Sequence, residues 1–139
     1  MFNVSRSSGL FALLFCSWPL LTSQAYAFDL NGAWATNEDQ CSKIFVKKAD
    51  KISFAQFSEE FGGGFIADGN DVRSKTVRCT IMSRKETGNT IDFRAACASE
   101  IMATSVNLRL TILDPDSVSR IFPDPALAGL ELTFHRCSM

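Results

Sequence analysis

Between residues 77 and 112 the chain alternates apolar and polar side chains with a period of two. Val77, Cys79 and Ile81 are interleaved with Arg78, Thr80 and Met82, and Ile91, Phe93, Ala95 and Cys97 with Asp92, Arg94 and Ala96. Met102, Thr104, Val106, Leu108, Leu110 and Ile112 form the longest set, opposite Ser105, Asn107, Arg109 and Thr111. Successive strand residues point to opposite faces, so each run predicts a half-buried strand. The last run stops at Asp114-Pro115-Asp116-Ser117, a type I turn signal with proline at its second position.

Shorter runs predict strands at Gly32 to Thr36, Lys43 to Val46, Lys51 to Ala55, Gly64 to Ala67, Asp71 to Lys75, Ser117 to Phe122 and Leu130 to Arg136. Helix is confined to short turns at Gln56 to Glu60 and after Pro123-Asp124-Pro125, because Gly62-Gly63-Gly64 breaks the helical spacing of Phe54, Phe57, Phe61 and Phe65. Many short strands with turns between them predict an all-β fold, a small antiparallel barrel, with a sandwich as the alternative.

The hairpin around Gly88 makes the reading more specific. If both strands turn their apolar sets to one face, opposed residues have numbers of equal parity. A turn centred on Gly88 then sets Cys79 opposite Cys97, Ile81 opposite Ala95, and Arg84 opposite Asp92 as a cross-strand charge pair. Opposed cysteines at such a site come close enough for a disulfide, which leaves Cys41 to pair with Cys137. Four cysteines also admit two other connectivities.

Residues 1–27 differ from all this. Met1 to Ser8 carries Arg6 and no acid, Gly9 to Leu21 is nearly all apolar, and Ala25-Tyr26-Ala27 supplies small residues for cleavage. This is the pattern of a signal peptide, with Phe28 the first mature residue and 28–139 a single disulfide-linked β domain. Pro19 interrupts a run already shorter than a membrane anchor needs, and Phe15 is too bulky to precede a lipidated Cys16. The protein is therefore expected in the periplasm or secreted, without an anchor, where disulfides persist.

Charge removes one class of partner. Arg6 is the only one of the 14 basic residues in the leader, so the mature domain carries 13 against 15 acidic residues, a formal net charge of −2. A nucleic-acid binder normally shows a basic face. Arg73, Lys75, Arg78, Arg84 and Lys85 do cluster, but in alternation with apolar residues, as on the solvent face of strands.

Candidate chemistry is sparse. His135, the one histidine, falls on the parity opposite Leu132, Phe134 and Arg136 and is expected to face solvent. The cysteines lie too far apart for a zinc site. Asp68-Gly69-Asn70-Asp71 reads as a tight turn rather than a calcium loop. The expectation is a protein that is not an enzyme and uses no cofactor or metal. Phe45, Phe54, Phe57, Phe61, Phe65, Phe93, Phe122 and Phe134 read as core. A sharper reading places Phe57, Phe61 and Phe65 at a barrel mouth for an apolar ligand or a protein partner, with Gly62, Gly63 and Gly64 as a mobile lip.

Gly32-Ala33-Trp34 near the start of the mature domain and Arg136 near its end resemble the G-x-W and late basic residue of calycin-type barrels, including lipocalins. The resemblance implies that Arg136 stacks across Trp34 and ties the last strand to the first, a cation–π contact worth about 1 kcal/mol. The chain is also similar to bacterial secreted inhibitors of metalloproteases, small exported barrels that begin with a G-x-W strand and insert an N-terminal arm into the protease cleft. That likeness implies Phe28-Asp29-Leu30-Asn31 as the arm. The expected function is an exported, non-catalytic binding or interaction module for a small apolar ligand or a protein, and alternatively an inhibitor of a secreted metalloprotease.

Overall fold

The computed structural model describes residues 27–122 and 124–139. The signal-peptide and Cys16 readings lie outside these residues apart from Ala27. Among the described residues there are ten strands: β1 (Gly32–Ala35), β2 (Phe45–Lys48), β3 (Lys51–Phe54), β4 (Gly64–Asp68), β5 (Asp71–Arg73), β6 (Arg78–Thr87), β7 (Thr90–Ala98), β8 (Ala103–Asp114), β9 (Ser117–Ile121) and β10 (Glu131–Arg136). Eight of them close into an antiparallel barrel in the order β1-β10-β9-β8-β7-β6-β5-β4, and β2 and β3 form a separate hairpin. Closure leaves the barrel no unpaired edge. The architecture is compatible with the calycin resemblance.

The two faces of β1 divide the core. Trp34 points inward to a cluster with Leu30, Ile91, Phe93, Val118 and Phe134, while Ala33 and Ala35 point outward and pack with Ile44, Phe45 and Ile66 under the β2–β3 hairpin. Gly64 lets the layers meet: a Cβ there would lie 2.5 Å from the Trp34 carbonyl oxygen and 2.8 Å from Phe45 Cζ. Arg73 donates to the Ile52 carbonyl, and Lys75 donates to the Ala55 carbonyl and Ser58 Oγ, so two of the clustered cations hold the outer layer to β5 rather than facing solvent freely.

Both disulfides follow the expected pairing, Cys79 with Cys97 across β6–β7 and Cys41 with Cys137 over 96 residues. Such bridges fit an oxidising compartment.

Two local readings need correction. Lys43 and Ile44 are not strand: Cys41–Ile44 forms one helical turn, α1, after a tighter turn at Glu38–Gln40 whose start is capped by the Asn37 side chain. The Cys41–Cys137 bridge and the burial of Ile44 set this geometry, which four residues have too few hydrogen bonds to hold alone.

The hairpin at Gly88 is the second. Its loop is Gly88-Asn89 between Thr87 and Thr90, and an irregularity between Ile81 and Ser83 restores the register that pairs Cys79 with Cys97. Arg84 therefore faces Phe93, not Asp92. Asp92 lies opposite Lys85 and takes its ion pair from Arg109 of β8, at 2.6 Å. The extra residue moves Arg84 and Glu86 to the parity of Phe93 and Ile91, which points inward.

Candidate ligand-binding site

Side-chain size falls along the inward positions of the longest strands, and this creates the site. On β7, Ile91 and Phe93 are followed by Ala95 and Cys97; on β8, Ile112, Leu110 and Leu108 give way to Val106 and Thr104. Large residues meet at one end, which closes, and small ones at the other, which stays open. The result is a cavity of about 480 Å³, opening past Ser74, Val77, Ser99 and Met102 and lined deeper by Phe65, Phe93, Leu108 and Phe134. That volume falls within the range of small-molecule sites, ~300–1,000 Å³. The Cys79–Cys97 disulfide forms part of its wall.

The closed end is packed around Trp34. Trp34 is 0% exposed, and its Nε1 donates to the Leu30 carbonyl at 2.8 Å. It stacks on Phe65 with ring centroids 5.9 Å apart and meets Phe28 at 6.2 Å. The Arg136 guanidinium lies 4.3 Å from the Trp34 ring and donates to the Asn31, Asp29 and Pro115 carbonyls and to the Asp116 carboxylate. This is the stacking that the resemblance implies.

Residues 28–31 belong to the same plug. Leu30 is buried and Phe28 packs against the core, while Arg84 donates to the Phe28 carbonyl. Asp29 Oδ1 accepts from Asn31 N, and Asn31 Oδ1 from Gly69 N. The expected arm is thus laid across the barrel end rather than projecting, because each of its carbonyls at 28–31 has a donor in the barrel.

Of the expected mouth residues, Gly63, Gly64 and Phe65 line the cavity. Phe57 and Phe61 do not: Phe57 precedes the helical turn Ser58–Phe61 and is 57% exposed, and Phe61 ends it with its ring 5.0 Å from Lys43 Nζ. Nor does Gly62 line it. The glycine segment is tied to the end of β1, where Thr36 N and Oγ1 both donate to the Gly63 carbonyl and Gly63 N returns a bond to Thr36 Oγ1. Asp68-Gly69-Asn70-Asp71 is the tight turn of the β4–β5 hairpin. His135 lies on the outer parity of β10, half-buried, with Nδ1 3.3 Å from Ser117 Oγ.

Arg120 was not expected in the site. It is the last inward residue of β9, paired with Leu110 on one side and Leu132 on the other, and among the described residues it is the one charged side chain lining the cavity. Its guanidinium lies 4.5 Å from the Phe122 ring. Among the described residues no acceptor or carboxylate pairs with it, and burial among apolar side chains pushes its pKa down. The sequence did hold a signal: Arg120 shares the parity of Val118, while Ser117, Ser119 and Ile121 take the other face.

Among the described residues no group of three or more histidine, cysteine, aspartate or glutamate side chains is placed to hold a metal ion, and no helix is long and apolar enough to cross a membrane. Comparison of the chain with protein-family models, with curated proteins and with solved structures finds no match.

Proposed function

We propose that this protein is an exported, calycin-like binding module that takes an apolar small molecule into the open end of its barrel and performs no chemistry on it. The observation that carries this reading is the apolar cavity of about 480 Å³ beside a densely packed closed end in the same barrel. A barrel filled throughout would argue for a purely structural or protein-binding role; here the small residues Ala95 and Cys97 keep the interior accessible. Among the described residues the polar side chains at its wall are the hydroxyls of Thr36, Ser74, Ser99 and Thr104 together with Arg120, a set suited to orienting a ligand. Export is supported by the leader-like first 27 residues and by two disulfides.

The test is a fluorescence titration of the folded protein with the neutral apolar probe N-phenyl-1-naphthylamine, competed with dodecan-1-ol. Saturable binding of one probe per chain that the alcohol displaces is the expected result. Non-saturating adsorption, or no enhancement, would remove the reading.

A further inference from the structure

Resting on that reading, we propose that Arg120 receives the headgroup of a single-chain amphiphile bearing one anionic group, whose tail occupies the apolar interior. The other arginine stacked on an aromatic ring at a barrel end, Arg136, has its donors filled by three carbonyls and a carboxylate. Arg120 is stacked in the same way, over Phe122, yet has no such partner among the described residues. A guanidinium offers five N–H donors in a fixed plane, and at Arg120 these remain open to solvent at the cavity wall, partly buried beside Leu110 and Leu132, where an anion can take them up. Stacking on Phe122 also holds the side chain in place beforehand, so little rotamer freedom is lost on binding.

Position selects the shape of the ligand. Arg120 closes β9 at the last inward position and Leu132 opens β10 at the first, so the charge sits where these two strands end, with Val118 and Phe134 the next inward pair toward the closed end. An anionic head at Arg120 therefore leaves its chain running inward along apolar wall. A neutral hydrocarbon would fill the cavity but leave the guanidinium unmatched; a compact anion would match it but leave the apolar wall uncovered.

Competition against N-phenyl-1-naphthylamine with dodecanoate, dodecyl phosphate and dodecan-1-ol, on wild type and on Arg120→Gln, tests this. At least one of the two anions is expected to bind wild type at least about tenfold tighter than the alcohol, as charge-assisted hydrogen bonds to the guanidinium require. The anion that gains more identifies the headgroup. In Arg120→Gln the preference should vanish while the alcohol binds as before. Equal affinity of anions and alcohol for wild type, or a preference that survives in Arg120→Gln, overturns the proposal and leaves the apolar carrier standing. A probe that fails to bind wild type at all overturns both.

A separate observation at the closed end carries a second inference. The backbone nitrogen of Phe28 lies 3.2 and 3.3 Å from the two carboxylate oxygens of Glu86, and Arg84 bonds both that carboxylate and the Phe28 carbonyl. A peptide N–H has one proton to divide between two oxygens, whereas an ammonium has three. We infer that Glu86 receives the α-ammonium released when water hydrolyses the Ala27–Phe28 peptide bond, a step that leaves a carboxylate on Ala27 and rests on the export reading. The site exists because the irregularity near Met82 turns Glu86 inward.

An ammonium paired with Glu86 has its pKa raised. Its contribution to stability is therefore full below the unfolded value, about 7.7–8.0, and is lost as pH rises through the folded value. N-terminal sequencing of exported protein should begin at Phe28. Protein beginning at Phe28 should melt higher at neutral pH than protein retaining Ala27, and Glu86→Gln should abolish the difference. An exported chain beginning elsewhere, or an advantage unchanged by Glu86→Gln, overturns the inference.

Discussion

The two ends of the barrel each carry an arginine stacked on an aromatic ring, and they use it in opposite ways. At the closed end Arg136 covers the fully buried Trp34, binds the carbonyls of Asp29, Asn31 and Pro115, and pairs with Asp116. It staples the first strand, the last strand and the N-terminal segment together. At the open end Arg120 covers Phe122 beside an apolar cavity and has no protein acceptor among the described residues. One arginine is spent on the fold. The other ties no elements together, and its donors stay open at the cavity wall.

The disulfides repeat the contrast and give the largest expected effects. Cys41–Cys137 lies next to Arg136 and spans 96 residues; Cys79–Cys97 spans 18 in the cavity wall. On the chain-entropy model the first contributes up to about 4.7 kcal/mol and the second about 3 kcal/mol. Chemical denaturation of Cys41→Ser/Cys137→Ser and of Cys79→Ser/Cys97→Ser should rank them in that order. The reverse order would mean that the open end, not the closed one, holds the barrel together.

Trp34→Ala removes the centre of the plug and should cost about 3–5 kcal/mol, as large-to-small core changes do. Trp34 is the only tryptophan in residues 28–139, so in protein of that span a blue-shifted emission protected from quenchers reports its burial directly. The arginines sharpen the comparison further. Arg136→Met should destabilise by about 2 kcal/mol through lost charge-assisted hydrogen bonds, whereas Arg120→Met should leave stability unchanged or raise it, since it removes a partly buried charge that no group among the described residues pairs with. Equal losses in the two variants would erase the distinction between the ends.

The smallest effect lies on the barrel wall, away from both ends. The hydrogen bond from Arg109, aided by its charge and that of Lys85, holds the Asp92 carboxyl below its usual pKa. A lowered folded pKa contributes stability above the unfolded value, about 3.9, and loses it as pH falls through the folded value. Melting curves between about pH 6 and pH 2 should therefore show wild type more stable than Asp92→Asn at the upper end, with the gap closing as acid is added.

These contrasts also mark what could be read without coordinates. Alternation located every barrel strand, and parity across the Gly88 hairpin placed Cys79 against Cys97. Trp34 and Arg136 were paired because a family likeness linked two distant positions. What escaped depended on details that alternation averages out. The irregularity near Met82 arises because a two-residue loop at Gly88-Asn89 sets one parity and the disulfide another, so one residue must be absorbed between them. The turn at Cys41–Ile44 is dictated by a partner 96 residues away. Arg120 was passed over because a charged residue in a strand is expected outside, although its parity with Val118 places it within. The mouth was sought in the phenylalanine-rich segment, yet large residues fill the closed end, and the cavity follows the small ones.

The central claim is that the interior around Ala95 is a ligand site, and replacing that residue tests it most directly. Ala95 is buried on the inner face between Ile81 and Val106, and a phenyl ring there would project into the cavity. Titration of Ala95→Phe with N-phenyl-1-naphthylamine should show affinity lowered by at least about tenfold, equivalent to ~1.4 kcal/mol, with a cooperative melt retained. Probe affinity equal to wild type in a folded Ala95→Phe protein would contradict the account, because the probe would then be binding elsewhere.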